Sequence, residues 1–88
     1  MFTRTEQYYF KSPYFYLEDL KEQCCVVRSR NSRQYWMILK YEDETVSLLH
    51  KHREKDRFHM QRSFSSVAGA IRYIVQHDGW TMIFKGGR

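Results

Sequence analysis

With 88 residues, 42% of them hydrophobic and 17% aromatic, the chain has enough for one modest core and too few residues for two, so a single domain over residues 1–88 is expected, held without a metal or other cofactor. The only two cysteines, Cys24 and Cys25, are adjacent and in a strand would point to opposite faces, which excludes a disulfide framework and fits a reducing, cytoplasmic setting. A formal net charge of +5 favours polyanionic partners by long-range attraction, while no apolar run approaches the roughly 20 residues of a membrane span or, at the N-terminus, the length of a signal peptide.

Residues 1–11 are polar and aromatic, with Tyr8, Tyr9 and Phe10 in a row, and read as an arm or short strand. Ser12-Pro13 has the form of a helix start, serine as cap and proline in the first turn. Phe15, Tyr16 and Leu20 follow at near-helical spacing, which predicts a short helix within 13–23, although the aromatic run there favours extended chain. Cys24 to Arg30 reads as a strand, Asn31-Ser32 as a two-residue turn, and Arg33 to Tyr41 as the most hydrophobic strand of the chain. Tyr35, Met37, Leu39 and Tyr41 share one face of it and Trp36 and Ile38 the other, so both faces are apolar and the strand is expected to be central. Glu42-Asp43-Glu44 makes a polar turn into a third strand, Thr45 to His52, with Val46, Leu48, His50 and His52 on one face. Arg53 to Arg57 is a charged loop, and Phe58 to Phe64 a further strand.

The strongest helix signal lies over 65–78. Ser65 or Ser66 can cap it, Val67, Ala70, Ile71, Ile74 and Val75 recur at spacings of three and four, and Gly79 can take the left-handed conformation that ends a helix. Gly69 inside its first two turns costs about 1 kcal/mol against alanine, which implies that a backbone or an aromatic ring packs close to it. Trp80 to Phe84 reads as an edge strand or a cover over the core, and 85–88 as a flexible tail. Together these elements predict a small two-layer α+β domain: an antiparallel three- to four-stranded meander with one main helix on one face and a short helix near the N-terminus.

The run from Tyr35 onward, paired strands followed by Phe64-Ser65-Ser66 and an alanine-containing helix, resembles in topology small DNA-binding modules such as integrase arm-binding domains. The lysine-rich helix start of double-stranded RNA-binding domains is replaced here by Ser65-Ser66-Val67-Ala68, and the opening tryptophan and helix of Src-homology phosphotyrosine-binding domains are missing. A shared topology does not carry a function.

Arg28, Arg30 and Arg33 surround one turn, and Lys51, Arg53, Lys55, Arg57 and Arg62 form a second basic stretch broken by Glu54 and Asp56. Alternate turns of a meander share an end of the sheet, so the two clusters are expected to form one basic rim that contacts phosphates with little sequence specificity. The rival expectation is a protein-interaction module or inhibitor working through exposed aromatics such as Tyr14, Tyr16 and Trp36 or through a sheet edge; a homodimer through edge strands fits either. Tyr35, Trp36 and Tyr41 could stack on bases, but aromatics at strand spacing are more often core, and Trp36 is the one expected to be exposed if the helix covers the opposite face. His50, His52 and His59 lack the ligand number and spacing of structural zinc. The chain has no glycine-rich phosphate loop and no nucleophile motif, so it is expected to bind rather than catalyse.

Overall fold

In the computed structural model, which describes residues 1–79, Thr3 opens the first helix, α1 (Arg4–Phe10). Its hydroxyl accepts from the Glu6 N–H at 3.1 Å, and Glu6 Oε1 accepts from the Thr3 N–H at 2.8 Å, a reciprocal capping box. A helix of seven residues is too short to hold alone, so it depends on docking. Phe10 is fully buried and meets Phe2 edge to face at 5.0 Å. The segment expected as an arm or strand is therefore helical.

The helix expected within 13–23 is instead a strand, β1 (Phe15–Leu20). Ser12 and Pro13 lie in the turn before it, and the aromatic run takes the extended form that its β propensity favours. β2 (Cys24–Ser29), β3 (Tyr35–Lys40), β4 (Val46–Lys51) and β5 (His59–Phe64) follow, and α2 (Val67–His77) completes the order. The sheet is an antiparallel meander of five strands in the order β1-β2-β3-β4-β5, one or two more than expected. The link from β2 to β3 is also longer than a two-residue turn. The Arg33 N–H reaches back to the Ser29 carbonyl at 2.9 Å, and Arg33 sits at φ 65, where the chain reverses.

Cys25 and Val27, Trp36 and Ile38, and Val46 and Leu48 point to one side of the sheet, where Val67, Ala70, Ile71, Ile74 and Val75 of α2 and Phe10 of α1 close over them. Trp36 is thus fully buried, not exposed, because α2 lies on its side of β3. Burial pushes the Cys25 thiol pKa far up, so it behaves as an inert apolar group. Lys40 is on the same side and only 3% exposed; its Nζ donates to Glu6 Oε1 at 2.8 Å and to the Met1 carbonyl at 3.1 Å, and Glu44 lies 3.3 Å away. The charge is paired and ties α1 to the sheet.

Ser66 caps α2 by accepting from the Gly69 N–H, and Gly79 follows the helix at φ 82. The ring expected near Gly69 is Phe64: a Cβ at position 69 would lie 3.6 Å from its Cδ1 and 3.4 Å from Ser66 Oγ. Gly69→Ala fits at contact distance and is expected to leave stability unchanged or raise it by up to about 1 kcal/mol. Gly69→Leu is expected to melt below the parent despite its good helix propensity, and an equal melting temperature would refute the close approach. Trp80 to Phe84 and the 85–88 tail lie outside the described residues.

Candidate nucleic-acid interface

The cross-strand register fixes which loops meet. Arg28 pairs with Tyr35 and Tyr35 with Lys51, so the end of β2, the start of β3 and the end of β4 are side by side. The β2–β3 loop and the β4–β5 loop consequently sit at one end of the sheet. Arg28, Arg30, Arg33, Lys51, Arg53, Lys55 and Arg57 all belong to this end, as the meander topology requires. The opposite end carries Asp19, Glu22, Glu42, Asp43 and Glu44 with Lys21 and Lys40, while Glu18, Glu54 and Asp56 stand among the seven cations, so one end is net positive and the other net negative.

The seven cations are not equivalent. Arg53 is held by Asp56, whose Oδ2 is 3.6 Å from its Nε and also accepts the Arg53 N–H at 3.1 Å. Lys55 and Arg57 are exposed on the loop and have no ion-pair partner among the described residues, and Arg33 is exposed at its turn. Arg30 Nε donates to the Phe15 carbonyl at 3.2 Å and places its guanidinium 4.1 Å from the Tyr16 ring centre.

Arg28 and Lys51 instead stand on the sheet face that no helix among the described residues covers, in a row that also holds aromatic rings. Tyr16 pairs with Arg28, Arg28 with Tyr35 and Tyr35 with Lys51, so all four side chains project on that face. The Arg28 guanidinium carbon lies 4.9 Å from the Tyr16 ring centre and 5.9 Å from that of Tyr35. Lys51 Nζ lies 5.0 Å from Tyr35 and 4.7 Å from Phe58, and donates to the Glu54 carbonyl at 2.6 Å. Rings and cations therefore alternate across the sheet, each contact within cation–π range. Val26, Met37, Leu49 and Met60 form the next row of the same face, and Met60 is 53% exposed. Of the three aromatics expected to be available for stacking, Tyr35 is the one this row displays. Tyr16 joins it through register and Phe58 through its contact with Lys51, neither of which sequence spacing contains.

On the covered side, the four histidines gather at the same end. The His50 ring lies 4.9 Å from that of His52, 5.3 Å from His59 and 5.5 Å from His77, and 4.2 Å from the Trp36 ring. Among the described residues no set of histidine, cysteine or carboxylate side chains has the geometry to hold a metal ion. A hollow of about 270 Å³ lined by Phe2, Gln7, Leu20, Lys21 and Glu22 lies at the opposite end, away from the cations. No helix among the described residues is long and apolar enough to cross a membrane. No protein-family model, no curated protein sequence and no solved structure matches this chain.

Proposed function

We propose that this protein is a non-enzymatic, cytoplasmic binding protein that takes up nucleic acid at the basic end of its sheet. The observation that supports this reading is the segregation of charge: two loops and two strand ends bring Arg28, Arg30, Arg33, Lys51, Arg53, Lys55 and Arg57 to one end while the acidic turns lie at the other. Such an asymmetry orients the molecule toward a polyanion before contact and speeds association. Phosphate contacts position the sheet without reading sequence.

About five phosphate contacts would give a slope of log affinity against log salt near −4.5 on duplex and near −3.5 on a single strand. Between 50 and 200 mM salt, affinity should therefore fall by roughly a hundred- to five-hundredfold. Fluorescence anisotropy with labelled duplex and single-stranded DNA and RNA measures this directly. A Lys55→Gln/Arg57→Gln variant, altered where the side chains support no part of the fold, is expected to weaken binding and flatten the slope by roughly 1 to 2. Absence of binding at 50 mM salt would overturn the reading. The alternative is a protein-interaction module or inhibitor, favoured by the apolar row of Val26, Met37, Leu49 and Met60; its complex would tolerate salt.

A further inference from the structure

We infer that the nucleic acid is single-stranded and that its bases stack on the face of the sheet opposite α2, on Tyr35 first and then on Tyr16 and Phe58. This rests on the nucleic-acid reading above and adds a substrate class to it. Three features carry it.

The first is the alternation of ring and cation in one row, Tyr16, Arg28, Tyr35 and Lys51, with Phe58 beyond Lys51. Loop cations alone would satisfy phosphates. Aromatic side chains among them, half-buried and displayed on that face, match a ligand that presents flat apolar rings between its charges, and a single strand is such a ligand. The second is spacing. Tyr16 and Tyr35 are two strands apart, roughly 9–10 Å, whereas bases along a duplex strand rise about 3.4 Å. Bases resting on both rings must be splayed from one another, and a duplex keeps its base faces inside the stack. The third is a loosely held cation. Among the described residues Arg28 pairs only with the Glu18 carboxylate, 3.6 Å from its Nε, and that Nε makes no hydrogen bond. A phosphate entering the row competes with Glu18 for this guanidinium. The adjacent Val26, Met37, Leu49 and Met60 extend the platform with apolar surface of the kind base edges and sugars cover.

Loss of one stacked base is expected to cost about 5- to 150-fold in affinity. The test is anisotropy at 50 mM salt with the full chain, using a 12-nucleotide oligo(dT), the matching oligo(U) and a 12-base-pair duplex, with Tyr35→Ala, Tyr35→Leu and Tyr35→Phe variants checked for folding by circular dichroism. The single strands should bind at least roughly tenfold tighter than the duplex. Tyr35→Ala should remove most of that preference while leaving duplex affinity in place, and Tyr35→Phe should retain it. Tyr35→Leu, which keeps apolar bulk without a ring, should behave as Tyr35→Ala and serves in its place if the alanine variant does not fold. Equal binding of duplex and single strand, or a Tyr35→Leu protein with parental affinity, overturns the stacking inference even while the Lys55→Gln/Arg57→Gln variant still weakens binding. No binding of any strand overturns both.

Discussion

Trp36→Ala is expected to unfold the protein. The indole is fully buried on the central strand beneath α2, with His50 4.2 Å from its ring centre, His77 at 5.0 Å and Tyr73 at 6.2 Å. Its Nε1 donates to Asp78 Oδ2 at 3.2 Å, and that carboxylate side chain is only 1% exposed. Truncating a buried tryptophan costs about 3–5 kcal/mol through lost burial and the cavity left behind. Removing a donor from a buried carboxylate adds about 1–3 kcal/mol. The sum rivals the total stability of a domain this small, about 0.05–0.15 kcal/mol per residue. Urea denaturation followed by far-ultraviolet circular dichroism measures it. Trp36→Phe keeps a buried ring while losing the hydrogen bond and part of the indole's volume, so it should stay folded with a loss of about 1–3 kcal/mol. A folded Trp36→Ala protein within about 2 kcal/mol of the parent would mean that the last turn of α2 does not rest on this indole.

That turn also explains why α2 was legible in the sequence and its docking was not. Ser66, the apolar positions from Val67 to Val75 and Gly79 are local signals, and the helix begins and ends where they place it. Which sheet face it covers is not local. β3 is apolar on both sides, Tyr35, Met37 and Leu39 against Trp36 and Ile38, and the choice is made by Cys25 and Val27 on one neighbour, by Val46 and Leu48 on the other, and by Asp78 meeting Trp36. α1 shows the opposite case: the Thr3–Glu6 capping box is written in the sequence, but a helix of seven residues ending in Tyr8-Tyr9-Phe10 holds through the burial of Phe10 in the core, Phe2 packing on it and the Lys40–Glu6 pair, which are tertiary. β5 was legible as a strand, but its irregular register between Leu48 and Leu49 was not. Leu48 pairs with Arg62 and Leu49 with Met60, so Gln61 is the extra residue, and both Gln61 and Arg62 reach Tyr73 of α2. The basic end followed from topology alone, because a meander puts alternate turns together. The aromatic row needed the residue-by-residue pairing of four strands.

The second large effect is acid lability centred on His50. The ring is buried on β4 against Trp36 of β3, with His59 of β5 beside it, His52 two residues on, His77 of α2 and the following Asp78 above, and Gln34 Oε1 2.6 Å from Nε2. Burial, and then repulsion from His52, His77 and His59, push its pKa down to about 4, with Asp78 opposing. In the unfolded chain a histidine titrates near 6.5. Between those values the unfolded chain holds a proton that the folded one refuses, so stability is complete above about pH 6.5 and falls as the pH drops toward 4. At pH 5 the loss should be roughly 2 kcal/mol. Glu6 does not confuse this window. Burial raises its pKa, but the hydrogen bond from Lys40 and those from Thr3 outweigh that and hold it below the ordinary carboxylate value, so its stabilising share persists above the unfolded pKa and is lost only at lower pH. Urea denaturation of the parent and of His50→Gln at pH 7.5 and pH 5 isolates the histidine. The variant's loss of the ring against Trp36 is present at both pH values and cancels when each protein is compared with itself. The parent should lose roughly 2 kcal/mol more on acidification than the variant; an equal loss in the two would assign the acid sensitivity to another group.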